Sequence, residues 1–265
     1  MKKSIIILLA FAMHFIVPGG VTAQTNALIE SADSAYAADD FGFAIAGYQE
    51  ALKVEGSSPQ LLYNLGNAYY RDGNIGKAVV SYERALKLDP SFADAAFNLE
   101  FVKSKLVDRQ RDNATFLDTC FDAVLSFMPS NGWAYLGAAL FIAAVALVAV
   151  YMYTTPILAR KIGFFGSIAS FVVAVICITI SVVGANRATA RDRAVVTSSS
   201  VILSTAPRAP RDRNEEVALL HEGSALHVVD SLTNTTDSVA SRVWYKVELD
   251  SDHKGWAPAT SLEII

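Results

Sequence analysis

The sequence predicts a multidomain chain with three kinds of structure: an all-α solenoid of helical hairpins, a two-helix transmembrane hairpin and a small all-β barrel. Three observations carry this reading. Apolar and small residues recur at helical spacing, with a 34-residue period, over roughly residues 26–108. Two long uncharged apolar runs follow in mid-chain, and beyond residue 187 the texture changes to short stretches rich in Val, Leu and Thr, separated by turns.

Composition narrows the function classes. The 265 residues are 52% hydrophobic and 18% charged, and the apolar excess is concentrated in runs, which points to a membrane. A net charge of −4 and no evident basic face exclude nucleic acid as the main partner. The two cysteines, Cys120 and Cys177, are too far apart for a disulfide framework or a thiolate metal site.

The solenoid is clearest over residues 59–92. Leu62, Leu65, Gly66 and Tyr69 form one helical run and Ala78, Tyr82, Ala85 and Leu86 a second, separated by the Asp72-Gly73-Asn74 turn. Gly66 and Ala78 let the two helices approach, and Tyr69 and Tyr82 fill the space beside them. With Pro90, this set resembles the signature of a tetratricopeptide repeat. One hairpin cannot bury its apolar face alone, so neighbours are required. Thirty-four residues earlier stand Ala44, Tyr48, Ala51 and Leu52, with Asp39-Asp40 at the turn and a degenerate first helix near 26–37. Later, Phe97, Asn98 and Leu99 repeat Tyr63, Asn64 and Leu65, and residues 91–108 read as a capping helix. The repeat domain is placed at 24–112.

Residues 1–23 open with Lys2-Lys3, run apolar from 5 to 17, break at Pro18-Gly19-Gly20 and end Val21-Thr22-Ala23. This is the pattern of a secretory signal, with an uncleaved anchor as the alternative. Residues 113–132 form a juxtamembrane segment, whose stretch 115–128 reads either as an amphipathic helix at the membrane interface or as a helix packed on the repeats. Residues 133–153 make a first span of about 31 Å, with Trp133, Tyr135, Tyr151 and Tyr153 at its ends. A cytoplasmic turn at 154–161 holds Arg160 and Lys161, and 162–183 form the second span, with Gly163, Gly166, Ser167 and Ser170 as a small-residue face. Arg187, Arg191 and Arg193 beyond it balance the turn's charges, so the signal sets the orientation: both large domains outside the cytoplasm.

The stretch 184–265 holds Ala194-Val195-Val196, Leu220-His221-Glu222-Gly223, Trp244-Tyr245-Lys246-Val247 and Gly255-Trp256-Ala257-Pro258 in an order that resembles a bacterial SH3-like domain. Trp244, Tyr245 and Trp256 are either packing residues of that barrel or a ligand site. His221, His227 and His253 belong to no metal spacing, and no nucleophile elbow, phosphate loop or Cys/His pair is present, so no catalytic set, metal site or cofactor is expected.

Taken in order, signal, short repeat array, membrane hairpin and SH3-like barrel resemble the BatE-type proteins of the bacterial aerotolerance operon. The resemblance implies a bacterial inner-membrane protein with two spans and both terminal domains periplasmic. It also implies work beside other Bat proteins that carry von Willebrand factor type A domains; no chemical activity follows from it, and with no catalytic set the chain is not expected to be an enzyme. Such repeats bind through their first helices, which assigns the groove to Asp33, Tyr36, Tyr63, Asn64, Asn67, Tyr70, Arg71, Phe97, Asn98 and Phe101. Asn64 and Asn67 are the expected ligands of a peptide backbone. The alternative function is an envelope sensor whose barrel binds cell-wall peptide from peptidoglycan, with the repeats as a spacer.

Overall fold

A computed structural model describes residues 19–108, 116–233, 243–250 and 253–265. The expected signal falls mostly outside them. Five helices come first: α1 (Gly19–Ala37), α2 (Phe41–Glu55), α3 (Pro59–Arg71), α4 (Ile75–Leu88) and α5 (Ala93–Lys103). They pair as two hairpins, α1 with α2 and α3 with α4, and α5 closes the array against α4. The 34-residue period is visible in the turns. Asp39 and Gly73 take the same place with φ of 59° and 86°, a left-handed conformation that Gly adopts freely and Asp tolerates. Helix starts are set locally: the Asp40 carboxylate accepts from the Phe43 N–H at 3.1 Å, and the Ser58 hydroxyl accepts from the Leu61 N–H at 3.2 Å, with Pro59 next in line.

The repeat core holds Ala44, Tyr48 and Ala51 of one hairpin and their counterparts Ala78, Tyr82 and Ala85 of the next, all buried. A Cβ built on Gly66 would lie 2.7 Å from the Tyr82 ring, so the α3–α4 contact closes only because residue 66 has no side chain.

Two long apolar helices follow α6 (Phe116–Leu125). α7 (Ser130–Tyr153) and α8 (Ile157–Thr189) are each long and apolar enough to cross a membrane, and they pack side by side. Gly137 fits against Ile178, Gly163 fits against the backbone of Leu147 and Tyr151, and the Ser170 hydroxyl donates to the Leu140 carbonyl at 2.7 Å. The small residues therefore pack the hairpin against itself. The link between the helices is shorter than the sequence suggests. Only Thr154-Thr155-Pro156 is non-helical, and Arg160 and Lys161 lie inside α8, because Pro156 stands at the cap, where its missing N–H costs nothing.

At 33 residues α8 is about 50 Å long, roughly 20 Å more than a hydrocarbon core. The surplus carries α6: Leu125 packs near Gly184, while Arg187 pairs with Asp122 and lies over the Phe121 ring. This end of α8, rather than the repeats, holds the juxtamembrane helix, with Val124 and Phe127 left outward.

The C-terminal region is one antiparallel seven-stranded sheet in the order β3-β2-β6-β5-β4-β1-β7. Its strands are β1 (Arg193–Val196), β2 (Ser200–Ser204), β3 (Glu216–His221), β4 (Ala225–Thr233), β5 (Val243–Glu248), β6 (Lys254–Pro258) and β7 (Leu262–Ile264). Strand β1 is buried on both faces. Ala194 and Val196 belong to the sheet core, and Val195, pointing the opposite way, belongs to the repeat core. The cores of repeats and sheet thus meet on the two faces of one strand.

Candidate protein-binding site

Side chains of the groove expected from sequence fall into two clusters. The first joins α1, α2 and α3. The Tyr48 hydroxyl donates to Asp33 at 2.5 Å, Arg71 pairs with Asp39 at 2.7 Å, and its guanidinium lies over the rings of Phe41 and Tyr36, which meet edge to face. Asp33 and Arg71 are therefore already engaged by this chain's own groups.

The second cluster joins α3, α4 and α5, and Asn67 is its hub. Its amide oxygen accepts from the buried Tyr82 hydroxyl at 2.6 Å and from Asn98 Nδ2 at 2.8 Å. Asn98 also reaches the Tyr63 hydroxyl at 3.3 Å, and the Tyr63 ring lies between those of Tyr82 and Phe92. Asn64 is bonded to Gln60 at 3.1 Å. Half of Asn67 is thus committed to the fold, contrary to an amide wholly free for a ligand. The reason is that Tyr82, at 1% exposure, needs an acceptor. Its NH₂ group has no partner among the described residues, so it can still donate to a peptide carbonyl.

Beside this hub lies an apolar step. Phe97 is 73% exposed and Phe101 is 44% exposed; Tyr70 meets Phe101 edge to face, and Lys105 lies over its ring. The surface offers aromatic faces and one free amide donor, which suits an extended peptide with apolar side chains.

What holds this surface in place was not foreseen from sequence. Gly76, Glu83, Arg84 and Lys87 recur at spacings of one helical face of α4 and meet the sheet. The Gly76 N–H donates to Glu222 at 2.7 Å, Arg84 pairs with Glu263 at 2.6 Å, and Lys87 donates to the Ile265 carbonyl at 3.0 Å and to that of Ala190. Glu83, only 7% exposed in its side chain, sits between Lys103 at 2.8 Å and Arg193 at 3.1 Å. Burial pushes its carboxyl upward, but the two cations outweigh this and hold it below the usual carboxylate range. In sequence these charges read as a solvated helix face; only their shared stripe is a signal.

A second tie is made by Asp108. It accepts from the His221 N–H at 2.6 Å and the Ser224 hydroxyl at 2.7 Å, and His221 Nδ1 lies 3.0 Å away. Burial raises the Asp108 pKa, and these donors more than offset it, for a net lowering. The set has the residue types of a hydrolase triad without its geometry. Ser224 donates to Asp108 and to the His221 carbonyl, so its hydroxyl has no imidazole base.

In the sheet, Trp244 is buried, and its indole N–H has no partner among the described residues. Tyr245 and Trp256 are half-buried, and Tyr245 lines an open cleft of about 830 Å³ together with Arg84 and Arg191.

Comparison with known families bears on the helical part. A tetratricopeptide repeat family model matches residues 59–92, and a second TPR repeat model matches residues 33–73. The helical hairpins are tetratricopeptide repeats. No curated protein matches the chain. Tetratricopeptide repeats support a role in protein–protein interaction.

Proposed function

We propose that the protein is a membrane-anchored scaffold whose tetratricopeptide groove binds a segment of a partner protein. The exposed Phe97–Phe101 step beside the free Asn67 amide carries this reading, since a monomer gains nothing from leaving two phenylalanines in water. The two apolar helices are the anchor. Contact between α4 and β1 supports placing repeats and sheet on one side of the bilayer, as does an even number of spans. The signal-like start makes that side the periplasm of a bacterial inner membrane. In this reading the sheet is an SH3-like domain, and the partners are the Bat-operon membrane proteins with von Willebrand factor type A domains.

The test is co-purification from chemically cross-linked membranes. Phe97→Asp with Phe101→Asp, both exposed, should leave the chain folded and lower partner recovery at least several-fold; unchanged recovery would remove binding from this surface. Reporters placed after residues 112 and 265 should read as periplasmic and one at Arg160 as cytoplasmic. The cleft beside Tyr245 supports a second reading, a sensor that binds cell-wall peptide there. Loss of wall binding by Tyr245→Ala with partner recovery intact would favour it.

A further inference from the structure

The tip of the α7–α8 hairpin carries charge that the scaffold reading does not use. Arg160 and Lys161 flank a pocket of about 320 Å³ whose other walls are Tyr151, Ile157, Phe164 and Phe165. No Asp or Glu occurs between Asp122 and Asp192, so neither helix of the hairpin supplies a counter-charge. Among the described residues the one partner of Arg160's guanidinium is the Tyr151 ring, at 5.4 Å from its centroid, and Lys161 has none. Both cations also lie near the positive end of the α8 dipole, which makes them less favourable still without an anion.

We infer that this pocket binds the headgroup phosphate of an anionic phospholipid in the leaflet at the hairpin tip. Guanidinium groups grip phosphate through paired N–H donors, and the Lys161 ammonium adds a point charge on the same anion. The surroundings select a lipid rather than a soluble phosphate. Ile157, Leu158 and Phe165 are all more than 60% exposed around the cations, an apolar rim that hydrocarbon covers and water does not. Arg160 and Lys161 therefore seat the hairpin at a fixed depth by binding lipid specifically, beyond the general attraction of basic residues for a charged surface.

This inference rests on the membrane-spanning reading, and the test separates the two. The full chain is purified in detergent with added phosphatidylglycerol and phosphatidylcholine, and retained lipid is counted by native mass spectrometry. Wild type should keep phosphatidylglycerol at least several-fold over phosphatidylcholine, and Arg160→Gln with Lys161→Gln should lose that preference. Both side chains are exposed, so the α7–α8 packing and the thermal midpoint should not change. Equal retention by the variant would overturn the site, and displacement of the lipid by inorganic phosphate would assign the pocket to a soluble anion instead. Failure of the wild type to float with lipid vesicles would instead overturn the membrane-spanning reading.

Discussion

Glu83 of α4 and Arg193 of β1 stand 110 residues apart in the chain and meet at 3.1 Å, with the Glu83 carboxylate buried. This pair, reinforced by Lys103, is one of the ties that hold the repeats against the sheet. Arg193→Met should cost about 3 kcal/mol, because it leaves a buried carboxylate with only one of its two cations. Arg71→Met, which breaks the exposed pair with Asp39 and the guanidinium contact with Phe41 and Tyr36, should cost about 1 kcal/mol. Thermal unfolding of the full chain in detergent separates the two, and equal shifts would deny Glu83 its role.

Acid should loosen the same junction. The folded-state pKa values of Glu83 and Asp108 are depressed, so their contribution is fully present above the unfolded carboxylate value and is lost as pH falls through the lower folded value. Stability should therefore decline below about pH 4, and Glu83→Gln should flatten that slope. A midpoint-against-pH curve unchanged by Glu83→Gln would contradict this.

Two glycines report on two interfaces. Gly66→Ala would push a methyl to 2.7 Å from the Tyr82 ring, and Gly76→Ala would place one 2.5 Å from the Val196 carbonyl oxygen. Each should cost about 1–3 kcal/mol. Their effects should differ in kind: Gly76→Ala should weaken protection of β1 amides in hydrogen exchange, whereas Gly66→Ala should act first on α3 and α4.

Asn67 allows folding and binding to be separated. Asn67→Ala leaves the buried Tyr82 hydroxyl without its acceptor and should cost about 1–3 kcal/mol. Asn67→Asp keeps an oxygen for Tyr82 and Asn98 while removing the NH₂ donor. It should stay close to wild type in thermal midpoint and lose partner recovery. An Asn67→Asp chain that binds normally would take the amide out of recognition.

Much of the fold was legible because its signals are local and periodic. The 34-residue step relates Asp39 to Gly73 and Tyr48 to Tyr82, and the structure places each pair in equivalent positions. The two apolar runs read directly as long helices, though Pro156 stops one helix and starts the next within three residues. The junction was not legible. Glu83, Arg84 and Lys87 look like the solvated face of a repeat helix, and nothing nearby in sequence announces Arg193, Glu263 or Ile265. The run Ala194-Val195-Val196 held a faint signal, since three consecutive apolar residues in a short strand fit burial on both faces. Asn67 failed as a wholly free ligand for a related reason: register predicts its direction, and only packing shows that Tyr82 needs its oxygen.

The most direct test of the scaffold is site-specific photo-cross-linking in intact membranes, with the reactive residue placed at Phe97 or, on the exposed edge strand β3, at Leu219. One dominant adduct with a membrane protein is expected from position 97, lost when Asn67→Asp is added, and none from position 219. Adducts from position 219 alone, with position 97 silent, would contradict it.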